Sequence, residues 1–421
     1  MVTTMNGTLL AKIQEYMKMK NWNYSDMASQ ADIHISEVSR IFSQKKALTP
    51  TQLDKITAAI GLPPGSMYAL YFEEYFSDSE PVHKSRSSQF LYNCMLNGRN
   101  LEANLMIGSI LEENSKYLRS KQMLNIFSVA ERLFHEGNES EALFLYEAII
   151  ENFPDRFSSE FAICYFRRFF ILITTERAQH ALSTLLEYIH YLPVDVRRDA
   201  FLWITVFYYR REDWKEVKYY AEKLESIASY GNHLGYALMY KGFSLTRLGG
   251  TLDEVLEQID RYSEVNKQFN EFAVGNRHAA YLDFGILDYA EEYLAWLIER
   301  DDLYVGLPRL LRTYVELDRL EDAKALVQRY RHIIDAISKE RDTWVKQKTV
   351  LDFQFAYSAY LSRIGSYHEG IDVLLEITTE ALTLKNTRLF KKCMYSYWEL
   401  RDRTTTEQDE KYRQMLLSDT N

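Results

Sequence analysis

Breakers and cysteines are scarce in this 421-residue chain, which has 16 Gly, 7 Pro and 3 Cys. So few breakers exclude a collagen-like or low-complexity chain and disfavour a β-rich one built on many tight turns. Cys94, Cys164 and Cys393 are odd in number and far apart, so neither a disulfide framework nor a tetrahedral zinc site is expected; they read as reduced, buried thiols. Long apolar runs are also lacking. The most hydrophobic stretch, Ala200 to Tyr209, ends at Arg210 and Arg211 after ten residues, about half of the roughly 20 that cross a bilayer. The start, Met1 to Tyr16, acquires Lys12 and Glu15 before a signal-peptide core develops. The expectation is a cytoplasmic protein with no membrane partner.

What is abundant is the aromatic ring: 31 Tyr, 22 Phe and 6 Trp, within 47% hydrophobic and 26% charged residues. Many rings and few breakers predict an all-α chain with a large interior. The net charge of -10 argues against a nucleic-acid coat or a cationic membrane surface. That charge is uneven, however. The first 70 residues hold seven basic and five acidic side chains, hence +2, which leaves -12 on the remainder.

Five short helices are predicted between Thr8 and Phe76. Thr8 caps the first (Leu9 to Lys20), Ser25 the second (Asp26 to Ala31), and the third runs from Ile35 to Phe42. The fourth opens on Thr49-Pro50-Thr51-Gln52, a capping box with Pro at the first helical position, and ends at Gly61. Ser66 caps the fifth, after the rigid Leu62-Pro63-Pro64-Gly65 turn. Ala28 is small where two helices must cross, and Met27, Ile33, Val38 and Ile41 are spaced to meet in one core. Ile35, Ser36, Glu37, Ser39 and Arg40 are left facing outward.

The segment Met27 to Ile41 resembles the helix-turn-helix of the Cro and phage-repressor (XRE-type) family, with Asp32 where the family usually has Gly. Asp tolerates the left-handed backbone that this turn needs. By that resemblance Ile35 to Phe42 is the recognition helix for double-stranded operator DNA. Arg40 would then fork onto guanine, Ser36 and Ser39 would reach base or phosphate, and Ile35 would meet a thymine methyl; Glu37 lies on the same face, and Lys45 and Lys46 follow toward phosphates. A head of only +2 binds DNA weakly as one copy, so a homodimer on two half-sites is expected. The alternative is a small helical bundle that binds protein.

Residues 77–89 are rich in Ser and charge and read as a linker, with His83, Lys84 and Arg86 expected to be solvated rather than set on DNA. Beyond it, Ala130, Leu133, Gly137, Ala142, Tyr146, Ile149 and Pro154 occupy the positions of a tetratricopeptide-like helical hairpin. Ala142 has counterparts at Ala103, Ala181, Val217, Val255, Ala290, Ala323 and Gly370. Turns precede them at Asn97-Gly98, Gly137-Asn138, Glu176-Arg177, Glu212-Asp213, Gly249-Gly250, Gly285, Asp318-Arg319 and Gly365-Ser366. The predicted layout is therefore a helix-turn-helix domain over 1–76, eight degenerate hairpins forming an α-solenoid over 90–385, and capping helices with Tyr397 and Trp398 over 386–421. Tyr146, Trp214, Tyr219 and Tyr367 are assigned to packing between repeats.

In such an array the first helix of each hairpin lines a concave face. Counting from the Ala142 positions places Arg167, Tyr209, Arg210, Tyr236, Tyr240, Arg247, Asn276, Arg309, Arg312, Glu316 and Arg363 there. Asn can bond peptide amides at both ends, and Arg can hold a carboxylate in a fork, so the face suits an extended peptide.

The two parts together resemble the peptide-pheromone regulators of Gram-positive bacteria and their phages (the Rap, Rgg, NprR, PlcR and PrgX group, with arbitrium receptors as relatives). That resemblance implies a transcriptional regulator of the quorum-sensing or lysis-lysogeny kind, switched by a short signalling peptide held in the groove. The competing reading is an interaction protein whose repeats bind a response regulator or anti-repressor. No glycine-rich phosphate loop, His-Glu metal helix or nucleophile elbow is found, and His180, His190 and His278 stand without a ligand cluster. No enzyme activity, cofactor or metal is expected.

Overall fold

The computed structural model describes residues 8–76, 84–112, 114–153, 155–340, 343–384 and 386–418. Those residues are all-α, and none of their helices is long and apolar enough to cross a membrane. The chain divides into two compact units, Met1–Arg197 and Arg198–Asn421.

Unit 1 opens with α1 (Thr8–Met19), α2 (Tyr24–Gln30), α3 (Ile35–Phe42), α4 (Pro50–Ala59) and α5 (Tyr68–Phe76). The Thr49–Gln52 capping box forms as expected, whereas α2 is capped by Asn23 rather than Ser25. Asn23 wins because Asp26, at the third helical position, closes a reciprocal box with it. Met27, Ile33, Val38 and Ile41 are all buried around Ala28. Asp32 adopts φ 48°, and its carboxylate ties down Lys55 at 2.8 Å.

Three hairpins follow: α6 (Lys84–Leu96) with α7 (Asn100–Leu111), α8 (Lys116–His135) with α9 (Glu139–Asn152), and α10 (Ser159–Leu172) with α11 (Ala178–Tyr188). The expected linker is therefore shorter than 77–89, since residues 84–89 are helical. The reason is Phe90, fully buried among the rings of Tyr68, Tyr71 and Phe76 at 5.3–5.4 Å, which seats α6 on α5. Polar bonds reinforce the seat: Tyr68 Oη and Asn93 Nδ2 donate to the two oxygens of Asp54 at 2.7 and 2.6 Å. Arg86 lies over the Tyr75 ring at 5.3 Å rather than free in solvent. His83 and Pro154 lie outside the described residues.

Unit 2 takes in most of α12 (Val194–Arg210), then α13 (Trp214–Ile227), α14 (Gly231–Leu248), α15 (Leu252–Ser263), α16 (Lys267–Asp283), α17 (Ala290–Leu297), α18 (Leu307–Glu316), α19 (Leu320–Glu340), α20 (Trp344–Arg363) and α21 (Tyr367–Thr383). A final pair, α22 (Thr387–Leu400) and α23 (Thr406–Ser418), closes the chain.

In both units the second helix of each hairpin buries its small reference residue: Ala103, Ala142, Ala181, Val217, Val255, Ala290, Ala323 or Gly370. At Gly370 the approach is too close for a methyl group, since a Cβ there would lie 2.9 Å from the Ser358 carbonyl oxygen. The hairpin turns at Gly98, Gly137, Glu212, Gly249, Gly285, Asp318 and Gly365 all have positive φ, between 56° and 86°. Glu212 is the costly one, because a side chain in that region needs support from its surroundings.

Of the rings assigned to packing, Tyr146 and Trp214 are buried, but Tyr219 is half exposed beside Tyr220. The capping pair is also incomplete as a cover. Tyr397 is buried and stacks on Tyr412 at 4.0 Å, yet Trp398 and Tyr395 remain 57% and 65% exposed.

Candidate functional site

Two places bring functional side chains together, one in each unit. In unit 1 it is α3. His34 caps the helix, its Nδ1 accepting the Ser36 backbone N–H at 3.3 Å. Val38, Ile41 and Phe42 face the core, which turns Ile35, Ser36, Ser39 and Arg40 to solvent. No ion pair among the described residues holds Arg40 or Lys45, and both are exposed.

Glu37 and Lys46 differ from expectation. Glu37 turns sideways to the scaffold: one oxygen is paired with Lys46 and the other accepts from Gln52 Nε2 at 2.9 Å. Gln52 is the residue that completes the α4 capping box, so a single chain of bonds joins α3 to the start of α4. The Lys46 ammonium holds the Glu37 carboxyl below its ordinary pKa. The pair cancels its own charge, so neither member is a free contact for DNA in this arrangement.

In unit 2 the site is a cavity of about 800 Å³, toward the upper end of the roughly 300–1,000 Å³ typical of ligand pockets. First helices supply much of its wall, as the repeat pattern expects: Tyr209 from α12, Tyr240 and Arg247 from α14, Asn276 from α16, and Arg309 and Arg312 from α18 all line it, with Tyr236 beside them. Arg210, Glu316 and Arg363 do not. Arg210 is drawn over the Trp344 ring at 5.7 Å, Glu316 reaches back along α18 toward Arg312, and Arg363 is exposed at the end of α20. Arg167 belongs to unit 1, where it forks onto Glu131 with two bonds of 3.0 Å beneath Tyr146. A partly buried carboxylate one hairpin earlier claims that guanidinium.

The centre of the wall is a residue that repeat counting missed. Asp283, on α16, is 6% exposed and receives Arg309 through two bonds of 3.2 Å, Arg312 at 2.7 Å and Arg247 at 3.4 Å. Burial opposes ionisation, but Arg309, Arg247 and Arg312 overcome it and bring the Asp283 pKa down to about 2. The fork expected for a ligand carboxylate is thus occupied by the protein's own. Asp283 lies seven residues after Asn276 on one helical face, so extending that face by two turns finds it.

Asn276, on the cavity wall, gives one amide hydrogen to Tyr262 Oη at 2.9 Å. Trp344, Lys348, Asp352 and Phe355 recur along one face of α20 at spacings of four, four and three, and they form the opposite wall with Arg388 and Lys392 of α22. Repeat spacing singles out neither group: on α20 it reaches only Arg363, and α22 lies beyond the eighth hairpin.

Beside the cavity a clasp ties the turn between α12 and α13 to α20 and α22. Glu212, in its left-handed turn between α12 and α13, binds Lys348 at 2.5 Å and Arg388 at 3.3 Å, while its carbonyl oxygen accepts from Arg388 at 2.9 Å. Burial would raise the Glu212 pKa, but Lys348 and Arg388 keep it lowered. Rings close beside it: Tyr209 meets Trp344, Tyr240 and Trp214 edge to face at 5.1–5.7 Å. These bonds join the first hairpin of the unit to helices 136 and 176 residues later.

No protein-family model matches the chain, and no curated protein matches it. Among solved structures it is similar to one described as selenomethionine-labelled phAimR, at 10% identity and a TM-score of 0.41 over 96% of this chain and 100% of that one. A superposition of that depth fixes neither ligand nor partner. The functional reading rests on the two sites themselves.

Proposed function

We propose that the protein is a transcriptional regulator that binds operator DNA through α3 and is switched by a short signalling peptide held in the unit 2 cavity. The observation that carries the reading is the presence in one chain of an exposed, unpaired α3 face on a helix-turn-helix scaffold and a ring-lined cavity large enough for a short peptide. Arg40 forks onto guanine, Ile35, Ser36 and Ser39 touch base edges or phosphate, and Lys45 neutralises phosphate. In the cavity Asn276 accepts a peptide N–H, Tyr209 and Tyr240 receive apolar side chains, and Arg247, Arg309 and Arg312 set the field.

The α3 region offers little positive charge once Lys46 is paired with Glu37, so tight binding needs two copies on two half-sites. The exposed rings of Tyr395 and Trp398 on α22, with Leu416 and Leu417 on α23, provide apolar surface for such a dimer. A peptide shifts DNA binding only to the extent that it prefers one arrangement of the chain over another.

Selection from a randomised duplex pool tests the reading. The full chain should enrich one sequence in two half-sites, and Arg40→Ala should weaken binding by about 5–150-fold, corresponding to about 1–3 kcal/mol for a bidentate contact. A pool with no enriched sequence, or Arg40→Ala with unaltered affinity and selectivity, refutes it.

A further inference from the structure

The charges around the cavity do not balance, and the imbalance identifies the kind of ligand. Arg300 is closed on Asp302 through two bonds of 2.7 and 3.1 Å. Lys348 and Arg388 are offset by Glu212 and by Asp352, which lies 3.1 Å from Lys348. That leaves Asp283 as the one carboxylate of the wall against Arg247, Arg309 and Arg312, with Glu316 3.7 Å from Arg312 outside the lining, and it leaves Lys392 with no carboxylate paired to it among the described residues. The lining residues therefore carry three more positive than negative charges, an excess that half-exposed Glu316 beside Arg312 trims to two, inside a chain whose net charge is -10.

Lys392 stands over the Phe355 ring at 4.0 Å. Burial lowers its pKa, Asp352 and Glu212 act against that, and Arg312 and Lys348 lower it further. Like charges gathered in a cleft with apolar walls focus a field that an anion relieves. A second unsatisfied group lines the same cavity: the Trp214 indole N–H is buried with no acceptor among the described residues. Both are donors, and a ligand that meets them must supply acceptors.

We propose that the ligand is an acidic peptide, a side-chain carboxylate of which seats between Lys392 and Arg312 while an apolar residue beside it lies against the Trp344, Tyr209 and Tyr240 rings. This rests on the peptide reading of the cavity and adds the charge that the peptide must carry. The carboxylate replaces water around Lys392 with a charge-assisted bond and offsets the neighbouring Arg312 at once. A lysine-bearing peptide meets the same surplus as repulsion, so the field discriminates as well as attracts.

The test uses the full chain and three pools of acetylated, amidated hexapeptides, identical except for one fixed residue, Glu, Gln or Lys, with inorganic phosphate as a fourth probe. Thermal unfolding at neutral pH should rise with the Glu pool and with none of the others. For the strongest Glu peptide, calorimetric affinity should fall about tenfold or more in Lys392→Gln and in Arg312→Gln, recover in Lys392→Arg, and weaken with salt. Lys392→Glu should transfer the response to the Lys pool, which a variant that merely failed to fold would not do. Equal response to the Gln or Lys pools, equal stabilisation by phosphate, or full affinity in Lys392→Gln overturns the acidic assignment and leaves the peptide reading standing. Silence of all three pools overturns both.

Discussion

Replacing Asp283 by Asn keeps the shape of the side chain and removes the charge on which three guanidiniums converge. The Asp283 pKa falls from 3.8 to about 2, which at a group 6% exposed corresponds to roughly 2.5 kcal/mol of stability. Removing one member of a buried pair costs about 3–5 kcal/mol, because the partners stay behind uncompensated. Arg247 and Arg312 are about one third exposed, so water shares their charge and the lower end applies. The expected loss is about 2.5–3.5 kcal/mol, or roughly 5–14 °C in Tm for a unit of this size.

The dependence on pH has a definite sign. A carboxyl with a lowered native pKa gives its full stabilisation above about pH 4 and loses it as pH falls toward 2, with roughly half gone by pH 3. Urea unfolding of wild type and Asp283→Asn, followed from neutral pH to about pH 3, should show a gap that is widest at neutrality and shrinks on acidification. Equal midpoints at neutral pH, or a gap that stays constant, would refute the buried-cluster account.

Glu37→Gln frees Lys46 for phosphate and removes a negative charge from the DNA side. Anisotropy titrations should show tighter binding to all duplexes, with a salt slope steeper by about one phosphate; a changed base preference would instead make Glu37 a base contact. Phe90→Ala should cost about 3–5 kcal/mol in the unfolding of unit 1, since it empties the ring cluster that seats α6 on α5. A cost below about 1 kcal/mol would mean that the helix-turn-helix region folds independently of its first hairpin. Gly370→Ala places a methyl 2.9 Å from the Ser358 carbonyl oxygen and should lower stability by about 1–3 kcal/mol in thermal unfolding. An unchanged Tm would contradict that close helix crossing.

The hairpins were legible because each second helix repeats one constraint. A small or β-branched residue, from Ala103 through Gly370, must lie where two helices cross, and in every hairpin but that of Ala181 a residue with positive φ stands shortly before it. Single-residue spacing carries both requirements, and Asp32 of the helix-turn-helix was readable in the same way. Pairings across the fold were less accessible. Nothing in the spacing of Glu37 and Lys46 distinguishes an exposed face from an ion pair nine residues apart, and Glu131 takes Arg167 from 36 positions earlier. Counting arginines located the cavity wall, but its centre is an aspartate, because a cluster of guanidiniums needs an internal anion before it can be buried. Glu212 looked like an ordinary turn residue, and only the long-range bonds to Lys348 and Arg388 make it part of a clasp.

One titration bears on the whole account: the anisotropy of a duplex selected by the full chain, measured without peptide and again with the acidic peptide at saturation. Linkage predicts a change of about fivefold or more in the Kd for DNA, in either direction, which Lys392→Gln abolishes at the same peptide concentration. Superimposable curves, obtained while calorimetry shows the cavity filled, would contradict the claim that this chain is a peptide-switched reader of DNA.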